Sequence, residues 1–328
     1  MGLDTITHCP GTLAEGHTTY SRSCLTRLFN GRTVSHVLPY FSPTRDSETY
    51  AMFNHNVNQM SISGVQEKYS VLLDKNKLRL INEGEQGEYI LKPIPSAGKK
   101  PIFMPANEHL SMQIAQQAFD IDVAHNALIF FKDGSPAYLT KRFDIASDGS
   151  KLAQEDFASL MRRTPQTHGE HYKYAGNYLE LFELMKKIVP AYAVEAPKLL
   201  KRLIFNYLIS NGDAHVKNFS LIETSMGDFK LSPAYDLLNS RIHIQDQDFA
   251  LEDGLLPKNL AHGKILTQFK VVSEKAGIPH SVWKELITTM TKQSHLIETL
   301  VYSSFLDKKT QRNYLQTYQA RLRRLLKE

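Results

Sequence analysis

The sequence predicts an α+β fold in two lobes, a small antiparallel β-rich lobe over residues 1–144 and a mainly helical lobe over 145–328. Three observations carry that expectation. Between residues 67 and 143 apolar side chains alternate in short runs separated by turn signals, with one long helical pattern among them. From Gln154 onward the apolar spacing shifts to three and four, interrupted by one short alternating stretch. The 328 residues, 42% of them apolar, suffice for two such bodies and show no internal repeat or low-complexity tract. Strands grouped ahead of helices form the α+β pattern, with a cleft expected between the lobes.

The elements follow in order. Residues 1–60 are turn-rich and polar, with one helical signal in SCLTRLF at 23–29. EKYSVLLD alternates, KN at 75–76 turns, and KLRLI alternates again, which predicts a hairpin. EYILKPI at 88–94 is a further strand, ended by Pro93. Asn107 is expected to cap a helix over EHLSMQIAQQAF, with Leu110, Ile114, Ala115 and Ala118 on its apolar face. ALIFFK and PAYLTKRF flank the DG turn at 133–134. In the second half, helices are expected in QEDFASLMRR (154–163), GNYLELFELMKKIV (176–189) and PKLLKRLIFNYLIS (197–210). NFSLIE and DFKLS supply a short β excursion, and helix dominates to the end.

Composition narrows the function class. The net charge of +5 comes from 39 basic and 34 acidic residues, scattered except in ARLRRLLK at 320–327. That cluster reads as the solvated face of a final helix rather than a nucleic-acid surface. No apolar run approaches the ~20 residues that span a bilayer, and no signal-like segment opens the chain, so direct membrane contact is not expected. Two cysteines, Cys9 and Cys24, do not make a disulfide framework and point to a reducing cytoplasm. Cys9, His17 and Cys24 lack the fourth ligand and the CxxC pair of a structural zinc site.

The chemistry concentrates in NGDAHVKNF at 211–219, placed between an apolar helix and a strand. Asp213 can accept a hydroxyl proton, and Asn218, five residues on, offers a hard oxygen to Mg²⁺. SPAYDLLNS follows a short hairpin and brings Asp236, a second metal-binding candidate. This order of catalytic Asp, Asn, hairpin and Asp is that of phosphoryl-transfer sites of the protein-kinase kind. Plainer roles exist for each residue: a turn for Asp213, a strand-edge hydrogen bond for Asn218, a helix cap at LLNS for Asp236. Lys92 lies inside the apolar strand EYILKPI, where an ammonium needs an anion. ATP phosphates would serve, with Glu108 as its holding partner; the alternatives are a snorkelling edge lysine and a Glu108 favoured by the helix dipole. TKRFD at 140–144 joins the halves, and its backbone could receive an adenine edge or be an ordinary exposed linker.

SISGVQEK, YILKP, the NEHL helix, KRFD, QEDF, NGDAHVKNFS and SPAYDLLNS, in this order over residues 55–326, resemble the HipA family of bacterial Ser/Thr kinases, the toxins of toxin–antitoxin operons. Only 60 residues precede SISGVQEK, and in this the chain is similar to the short HipT branch, whose extra N-terminal subdomain is a separate small antitoxin protein. The resemblance implies a two-lobed protein-kinase-like fold using ATP and Mg²⁺. It implies a phosphate-binding loop over Ser63, Gly64, Val65, Gln66, Glu67 and Lys68, with autophosphorylation at Ser61 and Ser63. It further implies Asp213 as the catalytic residue, Asn218 and Asp236 on the metal, and Lys92 on the phosphates. Lys141, Arg142, Phe143 and Tyr235 belong to the nucleotide site, with His215 and Lys217 near the γ-phosphate. Implied partners are a protein substrate, with aminoacyl-tRNA synthetases the leading class, and antitoxins comprising the small subdomain-like protein and a helix-turn-helix DNA-binding protein. A small-molecule kinase and a pseudokinase binding module remain the competing readings.

Overall fold

Alternating side chains build the first hairpin. β1 (Tyr69–Asp74) and β2 (Lys77–Leu80) pair antiparallel, with Val71 opposite Leu80 and Asp74 opposite Lys77. Lys75 takes the left-handed backbone, φ 54°, that a two-residue turn between twisted strands demands. The computed structural model describes residues 6–43, 67–245, 247–292 and 295–327. β3 (Tyr89–Lys92), β4 (Asn126–Phe130) and β5 (Pro136–Lys141) complete a five-stranded antiparallel sheet in the order β2-β1-β3-β5-β4. Pro136 stands first in its strand, where the missing N–H breaks no interior rung.

One alternate set of side chains, including Val71, Leu73, Leu91, Ile129 and Leu139, packs with Leu28 and Phe29 of the helix Arg22–Phe29. Ser21 caps that helix by accepting the Cys24 N–H, and Asn30 ends it at φ 54°. The free cysteines Cys9 and Cys24 are buried in this same core. Phe130 and Leu38 donate their N–H groups to His36 and Phe130 carbonyls at 2.8 and 2.7 Å, so residues 36–38 cover the outer edge of β4.

The helix expected from Asn107 begins earlier, at Met104, and runs to Phe119. A 3-10 turn at Pro101–Phe103 leads directly into it, so the preceding backbone does what a side-chain cap would do. Asn107 is therefore a buried interior residue.

The chain divides into two units. The first holds the five-stranded sheet: described residues up to Gln113, then Ala124–Arg142 and Leu296–Gln311. The second holds Ile114–Val123, Phe143–His295 and the chain from Arg312. A single boundary after residue 144 does not describe this division, because the helices Met104–Phe119 and Lys308–Leu326 each contribute residues to both units.

In the second unit, β6 (Gln154–Asp156), β7 (Ser220–Glu223) and β8 (Phe229–Leu231) form an antiparallel sheet with β7 central. QEDFASLMRR is thus not one helix. Backbone pairing to β7 extends Gln154–Asp156, Asp156 caps a four-residue helix Phe157–Leu160, and Arg162 turns the chain at φ 57°. The helix expected over 197–210 runs Tyr192–Leu208, carrying Pro197 inside it. Burial of Leu199, Leu200, Leu203, Phe205 and Leu208 outweighs the hydrogen bond that the proline removes. This helix packs on Leu179–Ile188 and His280–Thr291. Ile265–Lys275, His295–Tyr302 and Lys308–Leu326 are the remaining long helices described. In the last, Arg321 departs from the expected solvated face and is buried, while Arg323 and Arg324 are exposed. Among the described residues no helix is long and apolar enough to cross a membrane.

Candidate functional site

In the first unit Lys92 ends the central strand β3. Its Nζ donates to Glu108 Oε1 at 2.7 Å, with both side chains nearly inaccessible, and lies 5.4 Å from the Tyr138 ring centre. The helix starts at Met104, so Glu108 sits beyond the first turn and the dipole alternative weakens. The buried pair is the arrangement expected of these two residues.

The ends of β1 and β5 carry further expected residues. Glu67 Oε2 accepts the Tyr69 hydroxyl at 2.7 Å, and Lys68 is half-buried beside it. Ser61, Ser63, Gly64, Val65 and Gln66 lie outside the described residues. Lys141 Nζ donates to Asn30 Oδ1 at 3.0 Å, and burial lowers its pKa. The N–H groups of Lys141 and Arg142 already bond the His125 and Glu88 carbonyls at 2.7 and 2.8 Å. Neither N–H is open to an adenine edge, which narrows the linker expectation.

In the second unit the helix Tyr192–Leu208 delivers the loop that holds Asp213. Asn211 ties its start: Nδ2 donates to Asn206 Oδ1 at 2.8 Å and to the Asp236 carbonyl at 3.3 Å. Asn211 Oδ1 in turn accepts the Asp213 N–H at 3.4 Å. Asn218 Nδ2 closes the loop onto the Asp213 carbonyl at 3.1 Å, an orientation that leaves Oδ1 as the oxygen for a ligand. Asp236 adopts left-handed backbone, φ 55°, and no helix follows at 237–239, so it is not a helix cap. One asparagine thus joins Asp213 and Asp236, which the sequence separates by a hairpin.

Tyr174, from the 3-10 turn Tyr172–Tyr174, donates its hydroxyl to Asp213 Oδ1 at 2.8 Å. Its ring meets His215 edge-on at 5.3 Å between centres. Burial, then the Asp213 charge, raises the Tyr174 pKa, so the phenol keeps its proton and donates. His215 is 8% exposed, and burial drives its pKa down to about 4. Asp213 and Asp236 oppose that fall while Lys173 adds to it, so both carboxylates act on this imidazole. Its Nδ1 has no hydrogen-bond partner among the described residues.

Lys217 Nζ pairs with Asp156 Oδ2 at 2.7 Å, while the other oxygen of Asp156 caps the helix Phe157–Leu160 by accepting Ser159 N–H at 2.9 Å. Tyr235 donates to the Lys217 carbonyl at 3.0 Å and hydrogen-bonds Ser220 Oγ. Its ring stacks on Phe143 at 5.8 Å and 29°, bringing together two residues expected at the nucleotide. Burial raises the Tyr235 pKa, with Asp236 and Asp156 adding to the rise.

Asp156 and Tyr174 had no role assigned from sequence. QEDF drew attention as a motif, but nothing local says that its Asp reaches a lysine 61 residues later. Tyr174 sits in a turn-rich stretch with no periodicity to mark it. For Mg²⁺ the donor set fits: a carboxylate and an amide oxygen are hard ligands. Among the described residues no group of three His, Cys, Asp or Glu could hold a metal alone. Two protein oxygens leave the rest of a shell to phosphates and water, as Mg²⁺ sites commonly do.

A profile of the HipA-like C-terminal domain matches residues 60–296, more than half of the chain. The chain belongs to this family. Among relatives of the family member, "Putative kinase Y4dM" of Sinorhizobium fredii is 31% identical over 223 residues, 64% of this chain and 52% of that protein. "Putative kinase" of Haemophilus influenzae is 26% identical over 284 residues, 80% of this chain and 81% of that one. The chain therefore spans about half of the first relative and most of the second. Among solved structures, a chain of the Shewanella oneidensis MR-1 toxin–antitoxin HipA, HipB and operator DNA complex superposes with TM-score 0.62 at 20% identity. That match covers 81% of this chain and 65% of the other. The Helicobacter pylori proinflammatory kinase CtkA matches with TM-score 0.51 at 14% identity, over 77% of this chain and 92% of CtkA. At such identities the likeness shows the fold alone, and that fold is kinase-like.

Proposed function

We propose that this HipA-like chain is an ATP- and Mg²⁺-dependent kinase that phosphorylates serine or threonine hydroxyls of a protein and acts as the toxin of a toxin–antitoxin pair. The observation that carries the reading is the loop Asn211–Asn218, where Asp213 and Asn218 are fastened together and Asn211 joins them to Asp236. ATP with Mg²⁺ supplies the transferable phosphoryl group. Asp213 orients the acceptor hydroxyl and takes its proton. Asn218 and Asp236 offer the two hard oxygens for the metal. Lys92, held by Glu108, presents a fixed positive charge to phosphate oxygens. His215 is neutral near pH 7, and its unpartnered buried Nδ1 suits a phosphate oxygen if that nitrogen carries the proton. Lys217, anchored by Asp156, would on family likeness lie near the γ-phosphate. Phe143 and Tyr235 offer an aromatic stack to the nucleotide, and on family likeness Lys141 and Arg142 would belong to the same nucleotide site.

The further roles rest on family likeness. Ser63 to Lys68 would cradle phosphate oxygens, and Ser61 and Ser63 would accept phosphate in autophosphorylation. The Shewanella complex contains HipB and operator DNA beside HipA. On that likeness the partners are a helix-turn-helix antitoxin and, for a HipT-like short branch, a small subdomain-like protein. An aminoacyl-tRNA synthetase is the proposed substrate class, and the cytoplasm the proposed location.

The test incubates radiolabelled ATP and Mg²⁺ with the purified chain and a bacterial lysate, beside Asp213→Asn. The expected result is a labelled protein band with wild type, weakened ~10²–10⁴-fold in the variant, the scale of a general base. A labelled small metabolite in place of the band makes the chain a small-molecule kinase. No transfer at all, with intact ATP binding, makes it a binding module.

A further inference from the structure

The loop that carries Asp213 starts from an unfavourable backbone. Ser210, two residues after the helix Tyr192–Leu208, has φ 58°, a left-handed value that residues other than glycine seldom adopt. Such backbone persists only where the surroundings over-determine it. Here Ser240 Oγ donates to the Ser210 carbonyl at 3.0 Å and accepts the Gly212 N–H at 2.8 Å. The Asn211 N–H bonds the Asn206 carbonyl at 2.9 Å. All of these constraints come from residues inside the family match at 60–296.

One constraint does not. Arg321, in the helix Lys308–Leu326 beyond that match, donates from Nε to Ser210 Oγ at 3.2 Å. Its Nη1 pairs with Asp248, and its guanidinium carbon lies 4.8 Å from the Tyr207 ring centre. The residue is only 4% exposed. A guanidinium buried this deeply is unfavourable unless its charge is matched and its plane is fixed. Asp248 does both, and it is itself gripped by Arg241 at 3.1 Å and by Arg324. The contacts therefore run from Asp248 through Arg321 to the hydroxyl at the root of the Asp213 loop.

We propose that Arg321 is a positioning residue for phosphoryl transfer: locked by Asp248, it holds Ser210 in its left-handed turn and so fixes where the Asp213 carboxylate points. The inference rests on the kinase reading for its kinetic consequence, but not for its structural one. Arg321 touches neither Asp213 nor Asn218 nor Asp236, so it acts on the orientation of the loop and leaves nucleotide affinity alone. Lysine cannot replace it, because a single ammonium cannot span the carboxylate and the hydroxyl as a planar fork does.

The experiment compares full-length wild type, Arg321→Lys and Arg324→Lys. Arg321→Lys is expected to lower kcat about tenfold, within the range that misplacing a catalytic group produces, with KM for ATP within twofold of wild type. Backbone amide exchange at Gly212 and Asp213 should quicken in the same variant, while the melting temperature stays within a few degrees. Arg324→Lys, altered at the exposed arm of the cluster, should match wild type in each readout. Wild-type kcat and wild-type exchange in Arg321→Lys overturn the proposal. So does a parallel loss of kcat, ATP affinity and melting temperature, which marks a purely structural contact. If wild type transfers no phosphate, the kinase reading fails by itself and the amide exchange still decides whether Arg321 holds the loop.

Discussion

Acid should destabilise this protein through His215, and the amount follows from its surroundings. The unfolded imidazole titrates near 6.5, whereas burial in the folded chain drives it down to about 4. Between those values the unfolded chain binds a proton that the folded chain refuses, so stability falls as pH falls and levels off below about 4. The same linkage gives a loss of about 2 kcal/mol at pH 5 and about 3 kcal/mol at pH 4 from this residue. His109, fully buried and likewise lowered to about 4, adds a separate loss. Urea unfolding of wild type and His215→Asn at pH 7 and pH 5, without nucleotide or metal, isolates the contribution. The variant should lose about 2 kcal/mol less between the two pH values than wild type does. Following the His215 ring protons by NMR in wild type checks the cause directly and does not depend on the variant folding. An imidazole that charges above pH 6, or a variant that loses as much as wild type, refutes the reasoning.

The remaining predictions concern the same loop and its neighbours. Asp236→Ala and Asn218→Ala should each weaken nucleotide binding in Mg²⁺ and leave it unchanged in EDTA; equal wild-type affinity in both media removes the metal role from both. Tyr174→Phe removes the hydroxyl held at 2.8 Å on Asp213, and a several-fold fall in kcat with ATP affinity unchanged is expected from steady-state kinetics. Asp156→Ala deletes a helix cap and the Lys217 partner together; the cap alone is worth ~1 kcal/mol, and urea unfolding should show at least that loss. Intact mass spectrometry should find added phosphate on wild type and none on Asp213→Asn, with Ser61→Ala and Ser63→Ala together abolishing the addition.

Much of this was legible in the order of residues, for local reasons. Alternation in YSVLLD and KLRL marks strands because side chains in a strand point to opposite faces, and the register Val71 to Leu80 follows from it. The lone Lys92 in an apolar strand announced a buried charge needing an anion, and Glu108 answers it at 2.7 Å. The spacing of Asp213 and Asn218 marked the candidate site because a short loop limits how far its own side chains can separate, whereas Asp236, beyond a hairpin, is joined to Asp213 through Asn211. Other features depend on contacts that no window of sequence contains. Gln154–Asp156 is a strand only because β7 pairs with it, and the helix at Tyr192–Leu208 keeps Pro197 because its faces are buried by partners distant in sequence. Tyr174 on Asp213, Lys217 on Asp156 and Arg321 on Ser210 span 39, 61 and 111 residues. Most strands and long helices, the family likeness and the candidate site residues can thus be read from the chain alone, since they rest on periodicity and short-range motifs. Which groups hold those residues in place is set by the fold, because hydrogen bonds and buried charges are satisfied by whatever it brings within about 3 Å.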